Sequence, residues 1–163
     1  GGVRYGAMDV PGEDLIADCY ELAVERLARA GLRRYEISNF AVAGSESLHN
    51  LKYWKLAPYL GFGADAHSFD GRMRWQNVET PQQYCDAEDA RAECVEANLT
   101  EERFFVGLRL MDGIRPTAEE RGPHEAAIAE LIGDGLLEDL DGALRLTKRG
   151  VLLSNEVFER FLL

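Results

Sequence analysis

Cysteine is scarce in this chain: Cys19, Cys85 and Cys94 are the only three in 163 residues. An odd, dispersed set is not a secreted disulfide framework and suits a reducing, cytoplasmic compartment. No C-x2-C or H-x3-H pair offers zinc a set of ligands. No apolar run approaches the roughly 20 residues a membrane-spanning helix needs, so no transmembrane segment is expected. No basic stretch leading into an apolar core marks a signal peptide. Positive charge is in deficit, with 18 Lys and Arg against 29 Asp and Glu and a net charge of −11. Such a chain repels phosphate backbones, which argues against a nucleic-acid partner. The opening Gly1-Gly2-Val3-Arg4-Tyr5-Gly6 carries no initiator Met and reads as an entry from the middle of a longer protein.

What is present is an ordinary globular composition, 46% hydrophobic and 29% charged, enough for one domain or two small ones. Acidity is uneven. Residues 41–85 carry four basic and four acidic groups, and the same stretch holds both Trp and two of the three His. A site for an uncharged or anionic ligand fits best there. Before it, residues 11–30 predict a helix, with Pro11 in the first turn, Glu13, Asp14 and Asp18 near the positive end, and Leu15, Cys19, Leu22, Val24 and Leu27 as an apolar stripe. Arg34 to Ser38 then predicts a strand. Helix followed closely by strand is the αβ half of a βαβ unit, whose remaining strands must come from elsewhere. A second strand is expected over 72–78, strand and tight backbone over 60–69, and an acidic helix over 82–97. Glu36 on the first strand needs partners if buried, and Arg74 or His67 are the candidates.

The last third predicts helix, helix, hairpin, helix. Thr100 is placed to cap a helix bearing Phe104, Phe105, Leu108 and Met111 and ending at Gly113. Residues 123–134 form the next, with Ile128, Leu131 and Ile132 inward. Leu136 to Leu140 and Ala143 to Leu146 flank Asp141-Gly142, a strong two-residue hairpin signal. A final helix starts near Lys148, with Thr147 as its cap and Leu152, Leu153, Val157, Phe158 and Phe161 as its apolar residues. The order is winged-helix-like. Its second helix carries Glu125, Glu130 and Asp134 and no Lys or Arg, and the hairpin tip carries Asp139 and Asp141, so a DNA-reading role is not expected.

The stretch most charged with chemistry is His49-Asn50-Leu51-Lys52-Tyr53-Trp54. A His nitrogen can ligate haem iron, and the rings of Tyr53 and Trp54 offer faces to a planar macrocycle. Equally, a lone His among aromatics can be a hydrogen-bonded structural residue. Together with Tyr35-Glu36-Ile37-Ser38-Asn39-Phe40 before it, Tyr59-Leu60-Gly61-Phe62-Gly63 and Ala66-His67-Ser68-Phe69 after it, and Leu146-Thr147-Lys148-Arg149-Gly150 near the end, this motif resembles the oxygen-independent coproporphyrinogen III oxidase-like (HemN/HemW) family of radical SAM proteins, on the side of its haem-chaperone branch. The resemblance covers essentially the whole chain.

That resemblance implies a fold of two parts, α/β plus α+β. The last strands and helices of a partial TIM-like radical SAM barrel would occupy 1–85, an acidic connecting helix or linker 86–99, and a winged-helix-like domain 100–163. It implies haem binding by His49, Asn50, Tyr53 and Trp54, with His49 as the metal ligand. It implies S-adenosylmethionine contacts at Gly61, Gly63, Ala66 and His67. Asp65 departs from the pattern, standing where the family carries Gly. The family's C-x3-C-x2-C loop, which holds a [4Fe–4S] cluster, has no counterpart here: 65 residues separate Cys19 from Cys85 and eight separate Cys85 from Cys94. Cluster and S-adenosylmethionine therefore belong to a full-length parent, and this piece alone is expected to do no radical chemistry and to hold no catalytic residue. The implied role is haem binding and delivery to haem-receiving proteins. The alternatives are a piece of a true coproporphyrinogen III oxidase, which decarboxylates its substrate oxidatively, and a non-catalytic interaction module. Uncovered barrel edges would favour a homo-oligomer.

Overall fold

The computed structural model describes residues 11–162; the opening Gly1 to Gly6 lies outside them. Helix α1 (Glu13–Arg29) begins after Gly12, with Glu13 and Asp14 in its first turn and Arg26 and Arg29 in its last. Strands β1 (Arg33–Glu36) and β2 (Asn39–Ala41) follow, then α2 (Leu48–Trp54), β3 (His67–Phe69), β4 (Met73–Asn77), α3 (Pro81–Asp86) and β5 (Arg91–Glu96). Helix α4 (Leu99–Gly107) opens the last part. It leads to α5 (Ala118–Arg121), a 3-10 turn (Gly122–His124), α6 (Glu125–Gly133), the hairpin β6 (Leu137–Leu140) and β7 (Ala143–Leu146), and helices α7 (Lys148–Leu152) and α8 (Ser154–Glu159).

Three sheets result, ordered β1-β2, β3-β4-β5 and β6-β7, and every strand pair in them is antiparallel. Among the described residues no parallel pair and no closed barrel form, so this chain's own strands do not complete the expected βαβ unit. Glu36 supplies one reason. Its Oε1 accepts the Ser38 N–H at 3.1 Å and the Asn39 side-chain amide, which folds the chain back into β2 directly after β1. The stripe expected on α1 is also left open, with Leu15, Cys19 and Leu22 exposed and no residue of the helix buried. A two-stranded ribbon is too narrow to cover it.

The helix expected over 82–97 is broken. Thr80 caps α3 through a reciprocal capping box with Gln83. Asp89 then accepts the Arg91 N–H at 3.1 Å and pairs with its guanidinium, which holds the Asp89 pKa down to about 2. That Asx-type turn ends any helix. Residues 91–96 join β4 instead, from Met73↔Glu96 to Asn77↔Arg91, so one sheet runs across residue 85.

The last part follows the expected order with shifted ends. Asn98, not Thr100, caps α4, accepting the Glu101 N–H at 3.4 Å. The helix stops at Gly107 rather than Gly113. The second expected helix, 123–134, opens as the 3-10 turn and continues as α6, and an additional short helix, α5, precedes it because Thr117 nucleates a capping box with Glu120. The hairpin turns at Asp141 (φ 52) and Gly142 (φ 80), the double positive φ that selects this dipeptide. Thr147 caps α7, accepting the Gly150 N–H at 3.0 Å. A single core fills this part: Phe104, Leu108, Ile128, Leu131, Leu137, Leu144, Val157 and Phe161 are each at most 3% exposed.

Candidate functional site

Ser47 starts α2 by accepting the Asn50 N–H at 3.3 Å. Over the next turn the motif divides into two i,i+4 pairs on different sides of the helix. His49 and Tyr53 form one. Their rings meet edge to face at 5.0 Å with an 86° interplanar angle, and Tyr53 Oη lies 3.2 Å from His49 Nε2. Tyr53 in turn meets Tyr59 at 4.6 Å, and Tyr59 lies 6.4 Å from Phe69. A row of rings therefore runs from exposed His49 to the buried start of the β3-β4-β5 sheet. Asn50 and Trp54 form the other pair, both half-buried. The Trp54 ring faces the Arg109 guanidinium at 4.4 Å. Tyr53 and Trp54 line one small space together with Tyr59 and Phe69, and His49 and Asn50 do not border it.

The row of rings is braced from behind. Arg74 forms an ion pair with Glu102 on α4, donates to Tyr59 Oη at 3.3 Å and lies 4.3 Å over the Phe69 ring. The hydrogen bonds to Glu102 raise the Arg74 pKa. The space enclosed by Tyr53, Tyr59, Phe69 and Phe105 is about 290 Å³. A second cleft, about 610 Å³, adjoins it, sharing Trp54 and Leu56 and lined further by Lys55, Arg103, Ile114 and Arg115. Ligand pockets span roughly 300–1,000 Å³. The ring-lined space is too small for a macrocycle, so a planar ligand held by His49 would lie across the surface.

Gly61, Gly63, Ala66 and His67 come together in one turn closed from inside. Buried Asn77 donates to Gly63 O at 2.9 Å, and buried Ser68 accepts the Gly61 N–H at 3.0 Å. A Cβ on Gly61 would stand 2.3 Å from His67 O, so the backbone crossing alone demands glycine. Asp65 sits at φ 61, and its carboxylate accepts from Gln76 Nε2 at 2.5 Å. A Gly at this position needs no such compensation. His67 is exposed on β3, opposite Gln76.

The partners proposed for Glu36 from sequence are corrected. Arg74 is taken by Glu102, and neither it nor His67 pairs with Glu36. The cation near Glu36 is Arg109, whose Nη2 lies 3.6 Å from Glu36 Oε2. Arg109, Glu102 and Tyr59 are the functional neighbours the motif reading missed. Only Tyr59 carried a signal, as the aromatic opening the glycine turn. Among the described residues no group of three or more His, Cys, Asp or Glu could hold a metal ion, and all three cysteines are exposed. These thiols do not fit an iron–sulfur cluster. A single solvent-facing His nitrogen does fit axial ligation of haem iron.

No protein-family model matches the chain. It is 36% identical over 175 residues to the protein named "Heme chaperone HemW" of Bacillus subtilis, covering 98% of this chain and 46% of that protein. To the protein of that name in Mycobacterium tuberculosis it is 37% identical over 170 residues, covering 98% and 43%. The chain spans a little under half the length of these relatives. Among solved structures, coproporphyrinogen III oxidase (HemN) of Escherichia coli, described as a radical SAM enzyme, superposes with a TM-score of 0.71 at 16% identity, over 96% of this chain and 43% of that one. At that identity the likeness is one of fold.

Proposed function

Because the chain belongs to the HemN/HemW family of radical SAM proteins, we propose that it carries the haem-binding segment of a haem chaperone, with His49 as the axial ligand. The observation that carries this reading is the exposed His49 on α2, its ring set by a hydrogen bond between Nε2 and Tyr53 Oη, 3.2 Å apart. Such an outer partner fixes ring orientation and basicity. With Nε2 engaged, Nδ1 is the nitrogen free for iron. Haem supplies the metal centre and the flat macrocycle; Tyr53 supplies an aromatic edge beside it. An exposed ligand on a short helix suits a cargo that is passed on rather than kept, and haem-receiving proteins are the proposed partners.

Radical chemistry is assigned to the rest of a full-length protein, since Cys19, Cys85 and Cys94 lie on α1, α3 and β5 and do not form a cluster loop. Gly61, Gly63, Ala66 and His67 are proposed to face S-adenosylmethionine there. The test is a titration of the chain with ferric haem, read by absorbance, with His49→Ala and Tyr53→Phe alongside. Saturable one-to-one binding with a shifted Soret band is expected. His49→Ala should lose that band, and Tyr53→Phe should weaken binding by about tenfold. Equal spectra and affinities for the parent and His49→Ala would overturn the reading.

A further inference from the structure

A buried carboxylate, Glu36, and two half-buried side chains, Trp54 and Arg109, converge where α2, β1 and the segment following α4 meet. Glu36 is 0% exposed, and while its Oε1 is taken by Ser38 and Asn39, its Oε2 accepts no hydrogen bond. Arg109 Nη2 stands 3.6 Å away, a charge contact too long for a hydrogen bond. The Arg109 guanidinium carbon also lies over the Trp54 ring, 4.4 Å from its centroid. Arg109 Nε and Trp54 Nε1 are buried without partners. The backbone locks the same place: the Ile37 N–H donates to Arg109 O and the Met111 N–H to Tyr35 O, both at 3.1 Å.

This is an uneconomical arrangement for stability alone. A buried polar group without a partner is destabilising, and here three such atoms lie together. What the arrangement does achieve is geometry. A guanidinium is flat and permanently charged, so a carboxylate near one of its nitrogens and an indole ring beneath its carbon together restrict its position. Helix α2 needs that help. It is seven residues long with none buried, too short to be stable by itself. Its inward contacts include Tyr53, on Tyr59, and Trp54, which lies at the end opposite His49.

We propose that Arg109, oriented by Glu36, positions the Trp54 ring and thereby sets α2 and His49 for the ligand. This rests on the haem reading above. Neither Glu36 nor Arg109 touches haem, so both are positioning residues.

The experiment uses the whole chain with Trp75→Phe, which leaves Trp54 as its one tryptophan. Arg109→Met, Arg109→Lys and Glu36→Gln are compared in that background. Three readouts are taken: Trp54 emission and its quenching by acrylamide without haem, amide hydrogen exchange over 48–54 and over 137–157, and haem affinity. Arg109→Met should shift Trp54 emission to the red, speed exchange over 48–54 while leaving 137–157 unchanged, and lower haem affinity by about tenfold. Arg109→Lys keeps the charge and loses the flat face, so it should show the same changes in weaker form. Glu36→Gln should move Trp54 in the same direction. The proposal is overturned if Trp54 emission and exchange over 48–54 match the parent. Exchange rising equally over 137–157 overturns it too, because the effect is then general loosening. So does unchanged haem affinity with a loosened α2. If the parent itself binds no haem through His49, the haem reading fails by that result, and fluorescence and exchange still decide whether Arg109 positions Trp54 and α2.

Discussion

In residues 98–162 twelve apolar side chains from every helix and strand but α5 close into one core, whereas in residues 11–97 only Ala41 and Phe69 are buried apolar residues. The second region leaves Leu15, Ile16, Leu22, Leu48, Leu60 and Phe62 at least 46% exposed. Both regions carry clear secondary structure, so the difference is not one of local propensity. It is one of partners. The later region meets its own needs for burial. The earlier one holds its shape through a few polar ties: Tyr20 Oη donating to Ile37 O at 2.7 Å, Asn77 inside the glycine turn, and the Arg74–Glu102 pair. The proposed ligand site belongs to the loosely covered region and is tied to the well-packed one through Trp54, Arg109 and Glu102. A chain covering under half of its relatives' length is expected to show such an imbalance when the uncovered faces normally meet the remainder.

The largest effect that would sharpen this comparison is a matched pair of truncations. Phe161 is 0% exposed and stacks on Phe104 at 4.8 Å. Phe161→Ala should destabilise the later region by about 3–5 kcal/mol, as large-to-small core changes do. Leu22, 46% exposed on α1, should cost under about 0.5 kcal/mol when changed to Ala. Chemical denaturation of both variants checks this. Equal losses would show that α1 is covered in solution, by a second copy for example, and would break the comparison.

A middle-sized effect lies inside the packed core. His124 is 1% exposed, both ring nitrogens lack partners, and the ring sits 4.5 Å from Phe104 and 5.5 Å from Phe161. Burial lowers its pKa below the ordinary 6.5, against a weaker opposing pull from Glu101. The folded state therefore holds it neutral while the unfolded chain takes up a proton. Stability from this group is complete above pH 6.5 and is lost as pH falls from there toward the lower folded pKa. His124→Phe should remove that slope and stabilise the later region by about 1–3 kcal/mol at pH 5.5 by eliminating two unsatisfied polar atoms. Denaturation midpoints at pH 5.5 and 8 check it. A parent whose stability changes between them no differently from His124→Phe would remove His124 as the cause.

The two regions were also unequally legible from sequence. The later region announced itself because its signals are local: Asp141-Gly142 for the hairpin, Thr147 for a cap, apolar residues at helical spacing for a core. The earlier region defeated the same reasoning where the outcome turned on tertiary partners. The acidic run after Gln82 reads as helix until β4 offers 91–96 a row to pair with and Asp89 turns the chain. Glu36 reads as a strand residue in need of a partner, and only the fold shows its carboxylate building the turn into β2. At the site, the sequence marked His49, Asn50, Tyr53 and Trp54 as a group, without separating the His49–Tyr53 contact from the rest. No spacing could reveal that Trp54 points to Arg109, which is 55 positions further along the chain.

The smallest expected effect tests the glycine turn, which Asn77 and Ser68 tie from inside. Asp65 holds a left-handed conformation at φ 61, strained for a residue with a Cβ though less so for Asp than for most. Asp65→Gly relieves that strain and gives up the hydrogen bond from Gln76 at 2.5 Å. It also frees the unfolded backbone, which opposes the gain. The three effects are each about 0.5–1 kcal/mol and only the first favours the variant, so the net change in stability should fall below about 1 kcal/mol. Asp65→Val keeps the loss and worsens the strain, so it should cost more than Asp65→Gly. Thermal unfolding of the two variants side by side checks the order. Equal destabilisation would mean that Gln76, not backbone conformation, decides what position 65 tolerates. The turn would then be held by its side chains like the rest of its region.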